Sequence, residues 1–467
     1  MTGSILRMRL HVAGAASAGL AVRLYFILRF PFRASGDTFF YEQLARNWLD
    51  HRVYGLYIAG RLVPVDMRAP GYPAFLVAVY TLFGRSQLAV MLSQAVVDLA
   101  TCFLVAALAA VCAPRESRRR VAFAALWLAA LCPLTANYTA TVLTEVLATF
   151  LTALALLILA KAMQAEAPPI FAGRSSGTLP GWFAAGIIVG FGTLVRPETP
   201  LVLLAAGLVL LARWWRPLDW PRLLRAGAAM GLGLLLPLLP WAARNARTLH
   251  ETQFLAPRYS QLPGEYIPHG FYAWTSTWLW RFRDVYLVPW RLDDEPINMD
   301  EVPAAAFDSP EERERVAALV ESYNDTTTIS PDVDAGFAAL ARERTTRHPW
   351  RTYISVPLKR AAAMWFTPRI EMLPFTGLYW PPGEMWEEDP VDYSVTLGFG
   401  LLNFLYAGLA LAGAWVARRR PGVAFLIVFI LLRTAFLTHV ETPEPRYVLE
   451  CFPALLALGA LLWSRPQ

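Results

Sequence analysis

Long apolar runs, separated by short basic clusters and aromatic-rich polar stretches, dominate this chain. A helix needs roughly 20 apolar residues to cross the hydrocarbon layer, or about 17 when neighbours shield its ends. By that measure about ten spans are expected, near 10–30, 87–112, 121–136, 144–163, 181–195, 199–212, 226–243, 393–416, 422–438 and 447–463. The apolar segment from Gly71 to Phe83 is too short to span and reads as a juxtamembrane helix in the outer interface. From Asp37 to Leu49 apolar residues recur at helical spacing, which predicts an amphipathic helix parallel to the membrane. The fold class expected is therefore an all-α polytopic membrane protein.

Three regions follow: an N-terminal transmembrane module, 1–243, whose first external loop is 31–86; a large polar loop, 244–392; and C-terminal spans over 393–467. Within the large loop, helices are expected from Pro310 to Tyr323 and from Ala335 to Thr346. The Trp-rich stretch from Trp274 to Trp290 reads as an interfacial aromatic belt.

Charge orients the spans, because loops on the cytoplasmic side are enriched in Lys and Arg. With the clusters Arg115–Arg120, Arg213–Arg225 and Arg418–Arg420 inside, both termini are cytoplasmic, and 31–86, 244–392 and 439–446 face outward. Arg7 and Arg9 precede an apolar stretch like that of a signal peptide, but it runs on to Phe30 and reads as a retained first helix. With 56% hydrophobic and 17% charged residues, a water-soluble globule is excluded; the net charge of +6 sits in topology signals and implies no nucleic-acid partner. Localisation in a cytoplasmic (inner) membrane is expected. Cys102, Cys112, Cys132 and Cys451 have neither disulfide nor zinc spacing, and His269, His348 and His439 are too scattered for a metal site.

Six polar groups converge on the outer face: Asp37 with Tyr41; Arg68-Ala-Pro-Gly-Tyr72-Pro73; Thr144-Glu145; Arg196-Pro-Glu198; Arg244-Asn245; and Glu444-Pro-Arg446-Tyr447. Charges at membrane depth are costly and face a cavity or a partner. Deep in the first span, Arg23 is expected to pair with Asp98.

This order and sidedness resemble the GT-C glycosyltransferases, in the branch that holds the dolichyl-phosphate-mannose protein mannosyltransferases and the lipid A aminoarabinose transferase. The resemblance rests on Asp37 early in the first external loop, Arg68 to Pro73, Glu145 at a helix end, the large loop after the seventh span, and Arg446-Tyr447 before the last. It implies a GT-C fold, a polyprenyl-phosphate-linked sugar donor, and a glycan, lipid or protein acceptor at the external face. Asp37 would be general base, and Glu145 would orient an acceptor hydroxyl, assist Asp37 or bind a cation. Arg68, Arg196, Arg446 and Arg258 would hold the leaving phosphate, and Tyr41, Tyr72 and Tyr447 would pack on substrate. Protein mannosyltransferases carry Asp-Glu at the first position, whereas here Thr38 follows Asp37, which counts against protein O-mannosylation. No cofactor is required by this reading, and use of a divalent cation is left open. The competing reading is a transporter or lipid-linked-sugar flippase, for which internal repeats and helices broken at mid-membrane would speak.

Overall fold

The computed structural model of the chain describes residues 2–31, 36–165, 179–215, 218–257, 259 and 265–464, which form two compact units. Unit 1 comprises Met1–Ser260, Pro368–Leu432 and Leu449–Gln467. It opens with α1 (Thr2–Arg29) and α2 (Asp37–His51). A hairpin follows, β1 (Gly55–Ile58) pairing antiparallel with β2 (Arg61–Pro64), a small departure from the all-α expectation. The unit continues through α3 (Gly71–Phe83), α4 (Gln87–Cys112), α5 (Arg118–Ala130), α6 (Pro133–Ala136), α7 (Glu145–Ala165), α8 (Leu179–Thr193), α9 (Leu201–Arg213) and α10 (Trp220–Thr248).

Among the described residues six helices are long and apolar enough to cross a membrane: Met8–Arg29, Gln87–Cys112, Glu145–Ala165, Trp220–Thr248, Pro390–Val416 and Pro445–Ser464. The chain is a multi-pass membrane protein. The stretches expected as spans near 181–195, 199–212 and 422–438 are helical but shorter, ending at Thr193, Arg213 and Leu437. Between α8 and α10 the helices touch through glycine: a Cβ on Gly186 would meet the carbonyl of Met230, and one on Gly233 the carbonyl of Phe183. Apolar helices in lipid gain little from hydrophobic burial against each other, so such close backbone approach supplies the packing.

The span expected over 121–136 is broken. Pro133 has no N–H for the carbonyl of Ala129, four residues back, so α5 stops at Ala130 and α6 leaves at a bend of 50°. Arg23 covers the break: its Nη1 donates to Ala130 O at 2.6 Å and to Gly19 O at 2.9 Å, and its Nη2 to Ala129 O at 3.4 Å. Its Nε reaches Asp98 Oδ2 at 2.9 Å, the pairing expected from the sequence. The bend sends the chain through Asn137–Ala140 to Glu145, the first residue of α7.

Unit 2, Gln261–Thr367 with Arg433–Val448, is built differently. Its helices α11 (His269–Ser276), α12 (Phe282–Leu287), α13 (Pro310–Asn324), α14 (Pro331–Arg347) and α15 (Val356–Phe366) enclose an aromatic core that contains Trp274, Trp278 and Phe337, all at most 2% exposed. The belt reading of Trp274 and Trp278 is therefore corrected; they are core residues. Ser309 and Ser330 cap α13 and α14 through the N–H groups of Glu312 and Val333, with proline at the next position, the usual start of a helix. Asp334 accepts the N–H groups of Gly270 and Phe271 at 3.0 and 2.8 Å, fixing the start of α11 on α14. Asp308 and Glu312 gather Arg344, Arg347 and Arg351 into a charge network.

Unit 1 then resumes with α16 (Pro382–Glu388) and α17 (Pro390–Val416), and α18 (Pro421–Leu437) leads toward α19 (Phe452–Ala460). Every residue of α19 is buried, as befits a helix apolar on all sides.

Candidate active site

Asp37 is the first residue of α2, one position past Gly36, whose φ of 51° lets the chain turn into the helix. Its carboxylate accepts from Arg68 Nη2 at 2.7 Å, and the two side chains keep 32% and 16% of their surface exposed. Among the described residues, two of the five N–H donors of the Arg68 guanidinium are engaged, Nη2 on Asp37 and Nη1 on the carbonyl of Met67 at 3.3 Å. Burial works against the Arg68 charge, but Asp37, Tyr41 and Tyr54 outweigh it and hold the group above the usual guanidinium range.

The backbone around Arg68 is fastened on both sides. Tyr54 O–H donates to the carbonyl of Arg68 at 2.8 Å, and Arg244 grips the carbonyls of Tyr54 and Val65 at 2.6 and 2.9 Å. The N–H of Gly71 donates to Leu194 O at 2.7 Å, and a Cβ there would sit 2.5 Å from the same oxygen. Glycine is thus what lets the Arg68 loop lie on the turn carrying Arg196.

One helical turn beyond Asp37, Tyr41 meets Tyr72 edge-on, with ring centroids 5.2 Å apart. Burial first, then the charge of Asp37, pushes the Tyr41 phenol up to about 12, so it is a neutral donor at ordinary pH. Tyr72 is fully buried and donates to Gln94 Oε1 at 2.8 Å, while Gln94 holds the carbonyls of Thr139 and Thr141 after the α5 break. Tyr72 and Val195 lie in one apolar cluster with Ile370 and Leu373.

Arg196 has carboxylate company. Nη2 lies 2.6 Å from Glu145 Oε1, Nη1 3.5 Å from Glu198 and Nε 3.6 Å from Glu450, and Nε also donates to Thr144 Oγ1 at 3.1 Å. A phosphate at Arg196 would compete with three carboxylates, for which the guanidinium is a common counter-ion. Glu145 is buried at 1% exposure.

Arg446 pairs with Glu444 at 2.5 Å, and Tyr447 O–H donates to the other oxygen of Glu444 at 2.5 Å; these three lie in unit 2. Arg258 lies outside the described residues. Among the described residues no group of three or more His, Cys, Asp or Glu comes together as a metal-ligand set.

Residues 67–241 match the model of the dolichyl-phosphate-mannose-protein mannosyltransferase family. The archaeal oligosaccharyltransferase AglB from Archaeoglobus fulgidus, solved with an inhibitory peptide and a dolichol-phosphate, aligns over 98% of this chain and 50% of its own, at 15% identity and a TM-score of 0.51. The Archaeoglobus fulgidus oligosaccharyltransferase solved with Zn and sulfate aligns over 97% and 48%, at 15% identity and a TM-score of 0.50. By fold, the chain is similar to these solved oligosaccharyltransferases. It spans about half the length of these two solved relatives. ArnT from Cupriavidus metallidurans, bound to undecaprenyl phosphate, aligns over 99% of this chain and 77% of its own at 15% identity and a TM-score of 0.40. No curated protein matches the sequence.

The family match takes in Arg68, Tyr72, Glu145 and Arg196, while Asp37 precedes it. Tyr138 and Asp66 were not singled out from the sequence, where Glu450 reads as a partner of Arg433 or Arg446. Glu450 joins Arg196 and also accepts from Thr152 at 3.2 Å, a contact no local pattern announces. Tyr138 donates to Glu371 at 2.5 Å in the segment that returns from unit 2, beside Ile370 of the apolar cluster. Asp66, two residues before Arg68, has its Oδ2 buried without a hydrogen-bond partner among the described residues; burial, then the charge of Glu251, raises its pKa against the pull of Arg244. For Asp66 a signal existed, an acid beside the Arg68 motif.

Proposed function

We propose that this GT-C protein is a glycosyltransferase that moves a sugar from a polyprenyl-phosphate donor to an acceptor hydroxyl at the external face of a cytoplasmic membrane, with inversion at the anomeric carbon. The observation that carries this reading is the partly exposed Asp37–Arg68 pair at 2.7 Å, set between the start of α2 and the Gly71 contact. An acceptor hydroxyl becomes a competent nucleophile as Asp37 takes its proton, an effect commonly worth about 10²- to 10⁴-fold in rate. Its oxygen bonds to the anomeric carbon as the bond to the phosphate oxygen breaks, and the electron pair leaves with the lipid phosphate. Arg68, with N–H donors to spare, stabilises that developing anion by charge-assisted hydrogen bonds.

In this scheme Arg196 and its carboxylates hold Glu145 in place, and Tyr41 and Tyr72 form a wall against the sugar. No step is routed through a metal. The test is to purify the protein in detergent, supply labelled polyprenyl-phosphate sugars with candidate acceptors, and follow release of the lipid phosphate. Donor-dependent release that collapses in Asp37→Asn supports the proposal. A well-folded wild-type protein that consumes no such donor, yet moves an intact lipid-linked sugar across vesicle membranes, would replace it with the transporter reading.

A further inference from the structure

At the arginine-rich end of α5 lies an open groove of about 830 Å³, away from the Asp37–Arg68 pair and unused by the chemistry above. Its floor is a single helix. Arg119, Phe123 and Trp127 follow one another at four-residue intervals along α5 and, with Leu131 just past its end, form one stripe, with Arg120 beside them and Trp463 on a wall. The stripe is graded: guanidinium groups at its start, aromatic rings in its middle, an aliphatic residue at its end. The Arg119 guanidinium lies 5.7 Å from the centre of the Phe123 ring.

We propose that this groove binds one anionic phospholipid of the surrounding leaflet, with its headgroup phosphate at Arg119 and Arg120 and an acyl chain laid along Phe123, Trp127 and Leu131. Length and charge both fit. Twelve residues of helix extend about 18 Å, close to the ~15 Å depth of one leaflet of hydrocarbon. At the head end residues 115–120 carry four arginines, Arg115, Arg118, Arg119 and Arg120, against one acid, Glu116, an excess suited to a negative headgroup. A partly exposed Leu131, at 45%, and Trp463, at 41%, leave the apolar end open to lipid. A soluble anion would engage the arginines but leave the aromatic trough empty.

The test is native mass spectrometry of the detergent-purified protein given phosphatidylglycerol or phosphatidylcholine of the same acyl length, with glycerol phosphate as the headgroup alone. The expected result is retention of phosphatidylglycerol about 10-fold over phosphatidylcholine, no retention of glycerol phosphate, and loss of the preference in the doubly substituted Arg119→Gln, Arg120→Gln protein. A phosphatidylglycerol analogue with a photoreactive acyl chain, used on the wild type, should label residues 123–131 or Trp463. Equal retention of the two lipids, an unchanged preference in the variant, binding of glycerol phosphate alone, or labelling confined to other helices or to a co-purified polypeptide would each overturn the proposal.

Discussion

Arg23–Asp98 and Arg68–Asp37 are the same two kinds of side chain at the same 2.7 Å separation within one unit, yet they stand in opposite circumstances. Arg23 is completely buried and spends its donors on Asp98, Cys102 and three backbone carbonyls, two of them at the break after α5. Nothing is left over for a ligand. Arg68 is partly exposed, and two of its donors are engaged. A closed pair is part of the scaffold, and an open pair next to a fastened backbone is the one proposed to meet substrate. Arg196 falls on the closed side of that division despite its place in the candidate site.

The comparison predicts opposite phenotypes. The largest effect is expected on rate: Asp37→Asn should lower turnover by about 10²- to 10⁴-fold while leaving thermal unfolding nearly unchanged, because its pair is partly solvated. Assaying lipid-phosphate release and a melting curve on the same preparation checks both halves. Next comes Asp98→Ala, which strands a buried guanidinium and should cost about 3–5 kcal/mol of stability, read as a large fall in melting temperature. If Asp98→Ala were harmless to folding, the division into closed and open pairs would fail. Gly71→Ala should be intermediate: its Cβ would press on the Leu194 carbonyl and displace the Arg68 loop, so donor affinity is expected to fall with only a modest loss of stability.

Two carboxylates extend the comparison through pH. Burial alone would raise Asp308, but the hydrogen bond from Arg351 and the charges of Arg344, Arg351 and His348 hold it below the ordinary carboxylate range. A depressed pKa in the folded state contributes stability that is present above about pH 4, the unfolded value, and is lost as pH falls through the lower folded value. Acid unfolding monitored by the tryptophan fluorescence of unit 2 should therefore begin at higher pH in Asp308→Ala. The smallest effect belongs to Asp66, whose raised pKa has the opposite sign: it contributes stability below about pH 4 that is lost as pH rises through the folded value. Asp66→Asn should thus be neutral or slightly stabilising at pH 7, and a clear destabilisation there would show that its charge is used.

Much of the scaffold was legible in sequence because apolar length and helical periodicity are local properties. α2, α3 and α13 begin where the pattern places them, and Asp37 and Arg68 were both expected at one outer pocket. α14 begins at Pro331 rather than Ala335, because Ser330 and its following proline set the start while the apolar pattern becomes visible a turn later. The break after α5 was hidden in a different way: Pro133 is visible, but the donors that make a bend tolerable come from Arg23, a whole span away. Trp274 and Trp278 were misread since a core and an interfacial belt draw on the same residues. Glu450 at Arg196 was out of reach for want of any local signal; only the packing of α19 into the centre of unit 1 brings it there.

In the proposed reaction Asp37 handles the proton and Arg68 the lipid phosphate, a division of labour. It is tested most directly by measuring polyprenyl-phosphate affinity and single-turnover rate side by side for wild type, Asp37→Asn and Arg68→Ala. Asp37→Asn is expected to keep its affinity within about twofold while its rate collapses by at least ~100-fold, and Arg68→Ala to lose affinity by about 10-fold or more. Wild-type turnover in Asp37→Asn, or wild-type affinity in Arg68→Ala, would contradict it.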